Sequence, residues 1–280
     1  MQYKTMYNGD PIPVLGQGTW GLGGFMTPDF AKDEAGLKAL RTAIELGYTH
    51  VDTAEMYGGG HTEELVGQVM RDFEREELFI TSKVWHITLH YEDTLKALEG
   101  SLHRLQADYL DLYLIHRPNH DIPLDETFRA LNQLVQQGKV RHLGVSNFNL
   151  AQLQHAQALS DTPLVTNQVP YNLHNRQYNR NGVLDYCREH KMLLTAYSPI
   201  DRGHLVNDST VRRLAARCGT TPVQIALYWL IRQPGVIALP MSSQQEHLQE
   251  NLGALELELS AEDIRILDHL ELPEESLWPE

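Results

Sequence analysis

Only two of the 280 residues are cysteine, Cys187 and Cys218, too few and too far apart for a disulfide framework or a thiolate metal site. Both are expected to be reduced and structural. Basic residues are also scarce, 23 against 37 acidic ones, for a formal charge of −14. That balance argues against a nucleic-acid partner and favours simple solubility. No uninterrupted apolar stretch is long enough to cross a bilayer, and Met1-Gln2-Tyr3-Lys4-Thr5 lacks the apolar core of a signal peptide. A cytoplasmic protein with no membrane partner is expected. The histidines between His50 and His155 form neither an H-x-H nor an H-E-x-x-H pattern, so no metal site is expected. Internal repeats, low-complexity tracts and linkers are lacking too.

What is present is 42% hydrophobic sequence, ample for a core, in a regular strand-helix alternation. Apolar residues at three- and four-residue spacing predict helices over 33–46, 61–73, 91–104, 124–137, 149–159, 178–190 and 244–253. Between them lie apolar runs at 49–52, 78–83, 110–115, 140–145, 164–168, 192–196 and 236–239, and a further run over 14–18 makes eight. Gly47, Gly138 and Gly219 read as helix stops, Pro123 and Pro222 as helix starts. Eight such units predict an α/β fold, one (β/α)8 TIM barrel over residues 1–280. Two extra helices are expected, a long one around 208–232 and another at 260–270. Residues 3–14 surround Asn8-Gly9, the commonest two-residue hairpin turn, and predict an N-terminal β-hairpin under the barrel. Gly16-Gln17-Gly18-Thr19-Trp20-Gly21 spells a dinucleotide fingerprint. However, Pro11 and Pro13 interrupt the strand that should precede it, and Gly23, Gly24 and Pro28 delay the helix that should follow. The first barrel strand and its loop are the better reading.

Three successive apolar runs end on chemistry. The first ends on Asp52 with Tyr57 five residues beyond; the second ends on Lys83, the third on His116. In a parallel barrel these strand ends converge on one face. A phenol, with an ordinary pKa near 10, is a poor proton donor at neutral pH, and a neighbouring ammonium is expected to lower that value. Asp52 is placed to be the counter-ion of Lys83, since an isolated buried charge is very costly. His116 is placed to donate a hydrogen bond to a carbonyl. The set reads as acid catalysis of carbonyl reduction, with Tyr57 as general acid. Taken singly, each residue has a plainer reading: a capping aspartate, a loop tyrosine, a surface lysine and a strand-end histidine.

Asp52, Tyr57, Lys83 and His116, in this order and within these local sequences, resemble the catalytic tetrad of the aldo-keto reductases, particularly bacterial aldehyde and diketogluconate-reductase-like members. The resemblance extends through Gly18-Thr19-Trp20, Gly144-Val145-Ser146-Asn147-Phe148, Thr166-Asn167-Gln168, Ala196-Tyr197-Ser198-Pro199, Pro240-Met241-Ser242-Ser243 and Glu250-Asn251, so it covers nearly the whole chain. It implies an NAD(P)H-dependent oxidoreductase that reduces aldehydes and ketones to alcohols, acts on a small carbonyl substrate and is monomeric. It further implies a cofactor site. Gly18, Thr19, Trp20 and Asp52 border it; Ser146, Asn147 and Gln168 meet the nicotinamide carboxamide; Tyr197 stacks on the nicotinamide ring. Ser198, Pro199, Ile200, Arg202 and Gly203 lie over the pyrophosphate. Trp20, Tyr57, Trp85, His116 and Arg117 are the expected substrate contacts.

Three departures from the family pattern matter. Where the family often has tryptophan after the histidine, this chain has Arg117, which either pairs with an anionic substrate or forms a structural salt bridge. Family members commonly close the pocket with a long C-terminal tail, whereas here only residues 272–280 follow the last helix, so an open pocket tolerant of several small aldehydes and dicarbonyls is expected. In the adenosine-phosphate segment Met241 and His247 replace the usual lysine and arginine, leaving Pro240, Ser242, Ser243, Glu250 and Asn251 in place. Losing two charged donors to a 2′-phosphate implies appreciable use of NADH as well as NADPH. NADPH binding is expected to improve as pH falls through the ordinary imidazole pKa of about 6.5. The alternative function is a non-catalytic nicotinamide-cofactor-binding sensor or interaction protein on the same barrel; a barrel hydrolase is a further rival.

Overall fold

The computed structural model describes residues 1–270; expectations that rest on residues 272–280 lie outside the described residues. Two strands, β1 (Tyr3–Thr5) and β2 (Pro11–Pro13), pair antiparallel. The other eight form one parallel sheet in sequence order: β3 (Gln17–Gly18), β4 (His50–Asp52), β5 (Phe79–Val84), β6 (Leu110–Ile115), β7 (Val140–Ser146), β8 (Thr166–Pro170), β9 (Leu193–Tyr197) and β10 (Val236–Leu239). The expected first strand over 14–18 is mostly irregular, but it still closes the ring. Leu15 bridges Ala238, and the amides of Gly16 and Gly18 donate to Ala238 and Pro240. Eight parallel strands with helices between them form a (β/α)8 barrel.

Alternation along each strand sorts side chains between the barrel interior and the helical layer. On β5, Ile80, Ser82 and Val84 face the helices, Ser82 reaching Glu63 of the second helix at 2.5 Å. Thr81 and Lys83 point inward, Thr81 onto His50 and Lys83 onto Asp52. Leu112, Leu114, Val165, Leu193 and Ile237 fill the lower interior together with Met6 and Ile12 of the hairpin. The hairpin is therefore the barrel's floor. Its turn differs from expectation. Gly9 N–H donates to Met6 C=O and Met6 N–H to Asp10 C=O, making a three-residue loop in which Gly9 alone has positive φ, 95°. Asn8 keeps negative φ, so its side chain bridges to Asp10 instead of forming a two-residue turn.

The helices are α1 (Asp33–Glu45), α2 (His61–Met70), α3 (Tyr91–Leu105), α4 (Leu124–Gln136), α5 (Leu150–Leu159), α6 (Val183–Glu189), α7 (Ser209–Cys218), α8 (Pro222–Ile231), α9 (Gln245–Leu252) and α10 (Ala261–Asp268). The single long helix expected around 208–232 is two. Gly219 takes φ 65° and stops α7, and Thr221 with Gln224 forms a capping box that starts α8 with Pro222 in its first turn. The helix expected from 178 starts only at Val183, because Gly182 sits at its N-cap with φ 83° after a short 3-10 turn.

Candidate active site

The C-terminal ends of β4, β5 and β6 bring the four sequence-selected groups together. Lys83 is fully buried, and its ammonium donates to Asp52 Oδ1 at 2.5 Å, to Thr53 C=O at 2.9 Å and to the Tyr57 hydroxyl at 3.2 Å. The other Asp52 oxygen accepts from Gln168 Nε2 at 2.7 Å, from across the barrel. Each proton of the ammonium thus has an acceptor, and the carboxylate has a donor on each oxygen. The His116 ring meets the Tyr57 ring edge-on, with centroids 5.7 Å apart.

Environment sets the charge states. Burial opposes the charge on Lys83, but Asp52 and the Tyr57 phenol outweigh it, and its pKa lies above the ordinary lysine value. Burial pushes the Tyr57 phenol up, and the Lys83 charge only partly offsets this. That corrects the expectation that the lysine produces a net lowering: the resting phenol keeps its proton because the site is dry. His116 is held well below the usual imidazole range by burial, with the charges of Lys83, Arg117 and His86 adding to it. It is neutral at pH 7, and its buried Nδ1 has no partner among the described residues.

Two tryptophans flank these groups, as expected. Trp20 packs edge-on to Tyr57 at 4.9 Å and Trp85 edge-on to His116 at 4.9 Å. Glu55, overlooked in the sequence, anchors the second wall by accepting from Trp85 N–H at 2.5 Å and the Thr88 hydroxyl at 3.0 Å. Arg117 follows His116 and is exposed.

Ser146, Asn147 and Gln168 also converge. Ser146 Oγ donates to Gln168 C=O, while Asn147 Nδ2 donates to Ser146 Oγ and His116 C=O and its Oδ1 accepts from the Tyr197 hydroxyl at 2.8 Å. The donors of Ser146 and Asn147 and one N–H of Gln168 are committed within the protein, so the cluster presents mainly acceptors, foremost Gln168 Oε1. That fits the two N–H groups of a carboxamide. Asn147 holds φ 65°, the left-handed conformation that turns its amide into the cluster. Thr19 closes the opposite side, its hydroxyl donating to Asp52 C=O at 2.9 Å.

The segment after β9 is a strained turn, with positive φ at Ser198, Asp201, Arg202 and Gly203, while Pro199 is buried and Ile200 half-buried. The residues that brace it went unnoticed in the sequence. Asn172 Nδ2 donates to Ser198 C=O, and the His174 ring lies between Asp201 at 2.9 Å and Asp208 at 3.4 Å. The polar cluster Asn172-Leu173-His174-Asn175, just past a barrel strand, was the available signal.

After β10, Met241, Ser243 and His247 are exposed. The Ser242 hydroxyl is held by Gln244 N–H at 3.0 Å, and its carbonyl accepts from buried Gln17 Nε2 at 3.0 Å. Nothing local in the sequence marks Gln17 for that role. Glu250 is half-exposed, whereas Asn251 is buried with its amide in hydrogen-bonding contact with Tyr48. Among the described residues no cluster of His, Cys, Asp and Glu could hold a metal, and no helix is long and apolar enough to cross a membrane.

Known proteins resemble the chain along nearly all of its length. The family model described as "Aldo/keto reductase family" matches residues 14–272. The methylglyoxal reductase YeaE of Escherichia coli K12 is 37% identical over 96% of this chain and 95% of its own length. A crystal structure of a thermostable aldo-keto reductase with the inhibitor epalrestat superposes with a TM-score of 0.95 at 49% identity, covering 97% of this chain and all of that one. An aldo/keto reductase of Klebsiella pneumoniae, solved with NADP and acetate, gives 0.88 at 37% identity over 96% of this chain and 95% of its own. By its barrel, by the groups gathered at its strand ends and by these matches along its length, the chain belongs to the aldo/keto reductase family.

Proposed function

We propose that the protein is an NAD(P)H-dependent reductase of small aldehydes and dicarbonyls, acting as a monomeric, cytoplasmic, single-domain barrel with Tyr57 as the general acid. The observation that carries this reading is the continuous chain Gln168–Asp52–Lys83–Tyr57 beside a neutral His116. It leaves one protonated phenol facing a cleft walled by Trp20 and Trp85.

A bound reduced nicotinamide supplies the hydride. Gln168, Ser146 and Asn147 would offer acceptors to its carboxamide and Tyr197 a ring face, and the segments 198–203 and 240–251 would hold its diphosphate and adenosine. The chain's own part is the proton. As negative charge develops on the carbonyl oxygen, the Tyr57 hydroxyl releases its proton to it. The phenolate left behind is stabilised by Lys83, which costs far less next to an ammonium than it would in an otherwise dry site. Asp52 keeps Lys83 charged throughout. The neutral His116 ring offers an N–H to the same oxygen and fixes its direction. Tyr57→Phe should keep cofactor binding and lose about a hundredfold or more in kcat. Wild-type turnover of a good aldehyde by that variant would end the assignment.

Cofactor choice follows from the exposed segment after β10. With Met241 and His247 where the family places cations, NADH should be used appreciably beside NADPH. Met241→Lys should raise kcat/KM for NADPH over NADH by about tenfold, the worth of one charge-assisted hydrogen bond. A wild-type enzyme that already prefers NADPH a hundredfold would contradict this. The methylglyoxal-reducing activity in the name of the Escherichia coli relative supports dicarbonyls as substrates.

A further inference from the structure

The catalytic cleft of this acidic protein has one cation at its mouth that the reaction does not use. Arg117 directly follows His116 at the end of β6 and is exposed. Its charge reaches the Tyr57 phenol, the His116 ring and the Tyr197 phenol, acting on all three. The structural salt bridge that would explain it is absent: among the described residues no carboxylate lies within ion-pairing distance of its guanidinium, and no aromatic ring carries it. The nearby acids are already engaged, Asp52 by Lys83 and Gln168, and Glu55 by Trp85 N–H and Thr88. A solvated arginine with no acid paired to it among the described residues, in a chain with 37 acidic and 23 basic residues, is available to an incoming anion. Its planar fork matches a carboxylate in two-point contact.

We propose that Arg117 is a specificity residue of the carbonyl-reducing site, and that the preferred substrates are aldehydes carrying a carboxylate on the end remote from the carbonyl. The proposal rests on the reductase reading above and adds the substrate class. With the carbonyl oxygen between Tyr57 and His116 and the carbon skeleton between Trp20 and Trp85, the remote group emerges on the side of the residue after His116. A carboxylate there meets a guanidinium; a neutral group meets only water. The contact forms in the ground state and persists in the transition state, so it should act on KM more than on kcat.

The test compares para-carboxybenzaldehyde with its neutral isostere para-carbamoylbenzaldehyde, using wild type, Arg117→Met and Arg117→Lys at low and high salt. A ratio of kcat/KM values cancels any effect Arg117 has on Tyr57 that both substrates share. Wild type should favour the carboxylate by about tenfold at low salt, mostly through KM, with the advantage shrinking at high salt because the site is exposed. Arg117→Met should bring the ratio near one, and Arg117→Lys should keep part of it. A wild-type ratio near one, or a preference that survives in Arg117→Met, overturns the proposal while leaving the reductase reading intact. Failure of wild type to oxidise reduced cofactor with either aldehyde overturns both.

Discussion

The two ends of the barrel each withdraw a lysine from water, and they treat it oppositely. At the upper end Lys83 has a carboxylate, a carbonyl and a phenol, and its pKa is raised. At the lower end Lys4 is half-buried against the carbonyls of Ile231, Gln233 and Val236, and its pKa falls to about 8 because burial, helped by Arg188, prevails. Histidines at the two ends, by contrast, are both lowered by burial. His50, packed in the floor against Thr81, is lowered to about 4 by burial. Carbonyl dipoles satisfy an ammonium's protons without offsetting its burial, whereas a full opposite charge lifts its pKa above the ordinary value. At the floor the ammonium is held by three carbonyls alone, whereas at the catalytic face it is also paired with a carboxylate.

Three substitutions probe that contrast. Asp52→Asn would turn the upper lysine into one of the lower kind. Removing one partner of a buried pair should cost about 3–5 kcal/mol, and turnover should fall about a hundredfold as the phenolate loses its charged neighbour. Melting curves and kcat should drop together; a variant as stable as wild type would show that the carboxylate is not what holds Lys83. Lys4→Met probes the other end. Between about 8 and the ordinary lysine value of 10.5 the unfolded chain binds a proton that the folded protein does not, so Lys4 makes stability rise with pH across that window. Below it the full penalty persists. Denaturant titrations across the window should show wild type gaining about 2 kcal/mol relative to Lys4→Met; parallel profiles would refute the lowered value.

The smallest effect is expected at the rim, where His61 lies between Asp33 and Glu64, both at 2.7 Å. Burial opposes its charge, but the two carboxylates prevail and raise its pKa. A raised histidine stabilises fully below its unfolded value near 6.5 and loses that contribution as pH rises through the folded one. His61→Gln should therefore cost about 1 kcal/mol in mild acid and less in alkali. Equal losses at both pH values would mean the ring acts only as a spacer.

Particular residues show where the sequence was legible. Asp52, Lys83 and His116 could be placed together because each ends an apolar run, and parallel strands of a barrel end on one face. Asn8-Gly9 misled because a turn dipeptide does not specify loop length, which here follows from pairing Met6 with Asp10. The run over 208–232 hid a helix break because both halves carry helix-forming sequence, the first amphipathic and the second apolar; Gly219, Thr221 and Pro222 mark it.

By itself, then, the sequence determined the order of strands and helices, the face each strand residue takes and the identity of the groups at the strand ends. These depend on periodicity and on neighbours a few residues away. Tertiary structure alone decided how those groups balance. Gln168 reaches Asp52 across the barrel, Gln17 holds the segment at Ser242, burial overrides Lys83 in setting the Tyr57 phenol, and Arg117 has no ion-pairing acid among the described residues. Each of these outcomes sums burial and charge over strands far apart in the chain, and no local pattern carries that sum.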